Sequence, residues 1–284
     1  MNYPRVLTIQ DLSCFGQCSL TVALPILPAC GVETTVLPTA LLSTHTGGFQ
    51  GFTFLPLADE MEKIMAHWQR EKIHFHAIYT GYLGEKHHAA IVRQLIQTVL
   101  DQNGLIVIDP AFADHGKLYT GFDDNYVEHM RSLVAEADYL LPNMTEACML
   151  TGTPFEEHQN PEQAELLIHK LKSMGAKNVV LKGVHFFNGN LGVAISQGDE
   201  VAFYQHRRIE RSYHGTGDIF ASVFTGAVVK GRSSRDAAKT AADFVVRCIE
   251  KTDDDVNHPY GVIRACSPRS HGSIYQCKIN LPKI

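Results

Sequence analysis

The chain has no CxxC pair, and its seven cysteines are an odd number spread from Cys14 to Cys277, with Cys14 and Cys18 the closest two. Such spacing provides neither a disulfide framework nor a zinc knuckle. A reduced, cytoplasmic protein is expected, with most cysteines acting as small buried apolar groups. No apolar run approaches the ~18 residues needed to span a bilayer, and the apolar stretch before Gln10 is too short for a secretory signal. No block of lysine or arginine suits a nucleic-acid backbone, and the net charge is −5. No GxxxxGK[ST] loop occurs, and Gly215-Thr216-Gly217 is not completed to GxGxxG because Phe220 stands in the last glycine's place. These absences argue against membrane, nucleic-acid-binding, P-loop and dinucleotide-binding proteins. Low-complexity linkers and internal repeats are missing too, which favours a single domain over residues 1–284, its tail from about 252 unassigned.

What remains is an ordinary globular composition, 45% apolar and 19% charged. Short apolar runs at 5–9, 34–37, 75–80, 105–109, 139–142 and 179–182 read as buried strands, β-branched enough for a parallel sheet covered on both faces. Runs at 192–196 and 201–205, separated by QGDE, predict an antiparallel hairpin. Between the strands lie helical patterns. Asn160-Pro161-Glu162-Gln163 opens one helix, whose apolar face runs through Leu166, Leu167, Lys170, Leu171 and Met174 and ends at Gly175. Ser233 or Ser234 opens another, carrying Ala237, Ala241, Phe244, Val245 and Cys248 at helical spacing. This alternation predicts an α/β fold with a central, mostly parallel sheet. Ligands in such folds bind beyond the carboxyl ends of the strands, where Gln10-Asp11, Gly81-Tyr82, Asp109 and Asn143 fall.

The HGTGD stretch at 214–218 has a physical logic as a phosphoryl site. Glycines let backbone N–H groups turn toward an anion, a helix starting near Asp218 adds its positive dipole end, and the aspartate can reach an attacking hydroxyl. A plain glycine turn with an acidic first helical turn is the competing reading. Asn143-Met144-Thr145-Glu146 can be a capping box, or Glu146 can hold a hydrated Mg2+ ion. Asp109 and Asp114 supply further carboxylates. His74 and His76 alternate on a strand but lack ligand partners at zinc spacing, so they read as structural. His87-His88 is expected on an exposed helix.

In order along the chain, IQD at 9–11, STHTGG at 43–48, TGYLG at 80–84, IDPAFAD at 108–114, PNMTEA at 142–147 and GTGD at 215–218 resemble the vitamin B6 kinases. These pyridoxal/pyridoxamine kinases belong to the ribokinase-like superfamily, and the resemblance covers roughly residues 5–250. It implies a single-domain three-layer α/β sandwich, a homodimer, and ATP- and Mg2+-dependent phosphorylation of the B6 5′-hydroxymethyl group, with a monovalent cation as a further candidate ligand. By motif position, Asp218 would be the catalytic base, and Gly215, Thr216 and Gly217 the anion hole. Asn143 and Glu146 would organise Mg2+ and its waters. Asp109 and Asp114 would lie near the metal and phosphates, beside a lid that continues to Tyr119. Lys182 and Gly183 would lie near the nucleotide. Tyr82 would pack on the pyridine ring, with Thr46 and Asp11 at its rim. Asp11 stands where the B6-kinase pattern usually has Ser, and Ser13-Cys14-Phe15 also differs. A related hydroxymethylpyrimidine-kinase branch usually has Cys in the GTG turn, where this chain has Asp218. Hydroxymethylpyrimidine kinase, another ribokinase-like small-molecule kinase and a non-catalytic binder on the same fold remain the alternatives.

Overall fold

The computed structural model of the chain describes residues 3–157, 160–209 and 213–253; of the unassigned tail, 254–284 lie outside the described residues. In chain order the elements are β1 (Arg5–Ser13), α1 (Leu20–Ala29), β2 (Glu33–Leu42), β3 (Phe54–Pro56), α2 (Ala58–Arg70), β4 (Phe75–Thr80), α3 (His87–Thr98) and β5 (Leu100–Ile108). A small hairpin of β6 (Ala113–Asp114) and β7 (Lys117–Leu118) follows, then α4 (Asp124–Val134), β8 (Tyr139–Leu140), α5 (Met144–Thr151) and α6 (Pro161–Ser173). The chain continues through β9 (Asn178–His185), β10 (Leu191–Gln197), β11 (Glu200–His206), α7 (Thr216–Val229) and α8 (Ser234–Asp253).

Nine strands form one sheet in the order β11-β10-β9-β8-β5-β4-β1-β2-β3. The six strands from β9 to β2 pair in parallel, whereas β3 at one edge and β10 and β11 at the other are antiparallel. Helices α2–α6 bury one apolar face against the sheet, and α1, α7 and α8 bury the other. The expected three-layer α/β sandwich with a central, mostly parallel sheet is therefore present. From β1 the chain moves one way to β2 and later the other way through β4, β5 and β8. The gap beyond the carboxyl ends of β1 and β4 is thus the topological switch point.

Local chemistry explains the elements that were legible. Asn160 and Gln163 form the expected reciprocal cap on α6, with Pro161 in its first turn. Its buried stripe is Ala164, Leu167, Ile168 and Leu171, so Leu166, expected on that face, is exposed instead. His87 lies exposed at the start of α3, but His88 is fully buried, contrary to expectation. Its Nδ1 lies against the Leu83 carbonyl and the Glu85 backbone N–H, and burial lowers its pKa to about 4, so the ring packs as a neutral group.

Candidate active site

The polar residues at the carboxyl ends of the strands converge. Asp109, just past β5, is buried, and both its oxygens lie 2.9 Å from Lys182 Nζ, which reaches across from β9. Gly183 at φ 79° sits where the β9–β10 register shifts, so the strand bulges just beyond this lysine. Burial lifts the Asp109 carboxyl above its usual range while the adjacent ammonium pulls it back. Burial also works against the Lys182 charge, but Asp109 and Glu146 outweigh it, and the ammonium ends above its ordinary pKa.

Glu146 is held at the start of α5. Asn143 Oδ1 accepts the Glu146 N–H at 2.9 Å, and Glu146 Oε2 accepts the Asn143 N–H at 2.8 Å, which completes the capping box. Glu146 Oε1 accepts a second backbone N–H, from Phe112, at 3.1 Å. The capping arrangement is therefore real. Its fully buried carboxylate also faces Asp109 and Lys182, and burial lifts its pKa to about 8. A carboxylate offers about four lone-pair sites, so two N–H partners leave room for a hydrated cation. Among the described residues no group of three or more His, Cys, Asp and Glu forms a closed metal cage. Asp109 and Glu146 as oxygen donors without a cage suit Mg2+, which keeps waters and phosphate oxygens in its shell, and do not suit a structural zinc.

The β6–β7 hairpin covers this cluster. Gly116 N–H donates to Thr145 Oγ1 at 3.0 Å, Asn143 Nδ2 to the Ala113 carbonyl at 2.7 Å, and Tyr119 N–H to the Phe112 carbonyl at 2.9 Å. Tyr119 is half-buried. Burial raises its phenol pKa, and Glu146, Asp114, Asp218 and Asp109 add to the effect, so the ring overlooks the carboxylates. Asp114 itself is exposed and accepts the His115 N–H.

Opposite lies the start of α7. Gly215 has φ 83°, and a Cβ there would come within 2.1 Å of the Gln17 carbonyl, so only glycine fits. The turn leaves the first N–H groups of α7, at Thr216, Gly217 and Asp218, without helical partners. A Cβ on Gly217 would meet Lys182 Nζ at 3.8 Å, which puts the lysine beside the nest. Asp218 is partly accessible, yet protein crowds its carboxylate. Burial lifts its pKa to about 7, Asp109 and Asp11 push the same way, and the Ser19 N–H and Lys182 oppose.

Asp11 is not in a loop, because β1 runs on past 9 to Ser13 with a register shift at this residue. Its buried carboxyl accepts Ser13 Oγ at 2.7 Å, and burial raises its pKa. Tyr82 is buried, and its ring lies 5.1 Å from Phe122, which stacks on Tyr126 at 3.8 Å. Thr46 is half-buried in the loop after β2, whose His45 and Gly47 pack against His214. The fold thus joins Asp11, Asp109, Asn143, Glu146, Lys182, Tyr119 and Asp218 into one network. Tyr82, which feels the Asp11 charge, and Gly183, which follows Lys182, border it, and among the described residues no hydrogen bond joins the Tyr82 or Thr46 side chain to it.

Residues 24–264 match the phosphomethylpyrimidine kinase family. The chain belongs to that family. Among solved structures, it is 35% identical to a Bacteroides thetaiotaomicron protein named for phosphomethylpyrimidine kinase and crystallised with pyridoxal. The alignment covers 92% of this chain and 93% of the other at a TM-score of 0.87. It is 32% identical to the pyridoxal kinase of Lactobacillus plantarum, with coverage of 92% and 94% and a TM-score of 0.84. It is also 27% identical to the hydroxymethylpyrimidine/phosphomethylpyrimidine kinase of Haemophilus influenzae, over 95% of this chain and 97% of that one. The ribokinase-like B6-kinase reading of the motifs agrees with these relatives. This kinase-family chain also uses residues the motifs did not single out. Ser19 N–H donates to Asp218 Oδ2 at 2.9 Å across 199 positions, and the thiol of buried Cys18 is pushed up by burial and by the charges of Asp11 and Asp218. A serine gives no sequence signal for such a bond, because its backbone N–H is common to every residue but proline.

Proposed function

We propose that this chain phosphorylates the 5′-hydroxymethyl group of pyridoxal, pyridoxamine or pyridoxine from ATP, in a Mg2+-dependent reaction serving B6 salvage. The observation that carries the reading is the pyridoxal-bound relative at 35% identity, joined to an aspartate at the GTGD turn. In this reading Asp218 orients the substrate alcohol and accepts its proton. A weak base suffices, because phosphoryl transfer has a loose transition state and the proton leaves late. The N–H groups of Thr216 and Gly217, which have no helical partners, together with Lys182 stabilise the negative charge of the group in transfer. Bound Mg2+ supplies further charge neutralisation on the phosphates, and Asp109 and Glu146 are the residues suited to hold it, Glu146 through water. Tyr82 and Thr46 border the B6 ring, and Asp114, Tyr119 and Gly183 the nucleotide. A cytoplasmic homodimer belongs to the same reading.

The Haemophilus relative supports a second reading, hydroxymethylpyrimidine phosphorylation. Turnover of pyridoxal, pyridoxamine, pyridoxine, hydroxymethylpyrimidine and ribose with ATP and Mg2+ separates them. The highest kcat/KM is expected on a B6 vitamer. A higher value on hydroxymethylpyrimidine would reverse the assignment, and no turnover of any would leave a binder.

Two substitutions probe individual roles. Glu146→Gln should raise the Mg2+ concentration for half-maximal rate more than it raises the B6 KM. It should also cost about 1 kcal/mol of stability, since the amide NH2 group must face a backbone N–H that the carboxylate now accepts. An unchanged Mg2+ titration would leave Glu146 with the capping role alone. Asp11→Ser tests vitamer preference. A buried carboxylate favours a cationic partner, and a serine offers only a neutral hydroxyl. A selective loss of kcat/KM for pyridoxamine is expected; an equal loss for pyridoxal points to the ring nitrogen, and no loss to a structural role.

A further inference from the structure

Ser19 is the residue before α1, and it does not behave as a helix cap. A capping serine is extended and accepts an N–H of its own helix through its hydroxyl. Ser19 has φ 49° and ψ −127° and makes no side-chain cap bond. This is a backbone region that L-residues rarely occupy, and such outliers persist where the surroundings over-determine them. One bond accounts for it: the Ser19 N–H donates to Asp218 Oδ2 at 2.9 Å, while its side chain lies beside the buried carboxyl of Asp11 and favours its charged form. Among the described residues it is the sole hydrogen-bond donor to Asp218. One strained residue thus ties the start of α1 to the helix carrying Asp218, with Oδ2 engaged and Oδ1 without a partner among the described residues.

We propose that Ser19 is a positioning residue for Asp218, its positive-φ backbone holding the N–H that fixes the orientation of the carboxylate. The part of this that concerns catalysis rests on the kinase reading above; the bond itself does not. A carboxylate that accepts an N–H is favoured in its charged form, so loss of the bond raises its pKa. The other groups that act on Asp218 are Asp11 from β1, Cys18 beside Ser19, Tyr79 from β4, Asp109 after β5, Lys182 from β9 and Tyr119 from the hairpin. Of these, the Ser19 side chain acts on Asp11 and Cys18, and Ser19→Gly and Ser19→Val both remove its hydroxyl, so the difference between the two variants reads the backbone N–H.

The test compares Ser19→Gly with Ser19→Val. Glycine tolerates the positive φ and keeps the N–H, whereas a β-branched residue is driven out of that conformation and swings the N–H away. With the carboxyl carbon of Asp218 followed by 13C NMR, assigned through Asp218→Asn, its titration should move up by about one pH unit in Ser19→Val and by much less in Ser19→Gly. The acid limb of kcat/KM should shift in parallel, and kcat should fall roughly tenfold or more in Ser19→Val. A folded Ser19→Val protein whose Asp218 titrates as in the parent overturns the proposal, as does an equal shift in both variants, which would assign the effect to the hydroxyl. Should Ser19→Val not fold, the Ser19 amide proton of the parent protein decides. Its chemical shift should follow the Asp218 titration and lose that response in Asp218→Asn, and a flat profile overturns the assignment. The NMR arms need no turnover, so a protein inactive on every B6 vitamer would refute the kinase reading while leaving Ser19 testable.

Discussion

Asp218→Asn is expected to lower kcat by roughly 10²–10⁴, the usual range for loss of a general base, with little effect on folding. Its amide oxygen can still accept the Ser19 N–H, and Asn is as suitable as Asp at a helix start. The pH dependence should change as well. Burial holds the Asp218 carboxyl at about 7, and a base works only when ionised, so kcat/KM of the parent should climb with pH through that value. In Asp218→Asn that limb should vanish. A purified variant with parental turnover would remove Asp218 from the chemistry and leave the nest and Lys182 as the functional core. A variant that loses activity but keeps the limb would assign the titration to another group.

The parts of the fold visible in the sequence are those set by local chemistry. The run at 75–80 is β4 to the residue, and the QGDE turn joins β10 and β11 as expected. Asn160 and Gln163 cap α6 because both partners of that box lie within four residues. Helix α1 was not legible. Pro25 and Pro28 stand inside it, and each normally ends or kinks a helix, so LTVALPILPA carries a signal opposed to its structure. Burial overrides propensity there, with Leu20 buried and Val22, Ala23, Ile26 and Leu27 packed in the core under the sheet. The site divides the same way. Asp109, Asn143, Glu146, Lys182 and Asp218 lie at strand ends or helix starts within recognisable motifs. The bond from Ser19 spans 199 positions and uses a backbone N–H, and the burial of Asp11 depends on how far β1 extends. Neither follows from residue type or spacing.

Lys182→Met should cost about 3–5 kcal/mol of stability near pH 8, the range for breaking a buried ion pair from one side. Lys182 is 13% exposed and Asp109 3%, so solvent screening discounts this pair little. The same ammonium also offsets Glu146 and Asp218. Without it, all three carboxyls are raised further by burial. The sign of the pH effect follows. A carboxyl whose folded pKa lies above its unfolded value, 3.8 for Asp and 4.5 for Glu, binds more protons in the folded state. Stability is then lost as pH rises from the unfolded pKa through the folded one. The gap in Tm between the parent and Lys182→Met should therefore be small near pH 5 and widest near pH 8. Adding Asp109→Asn to Lys182→Met should recover part of the loss at pH 8, because a buried site emptied of both charges costs less than one left with a lone carboxylate. A Tm gap that is constant between pH 5 and pH 8, with no recovery in the double variant, would mean that the lysine stem acts by packing and its charge does not govern the cluster.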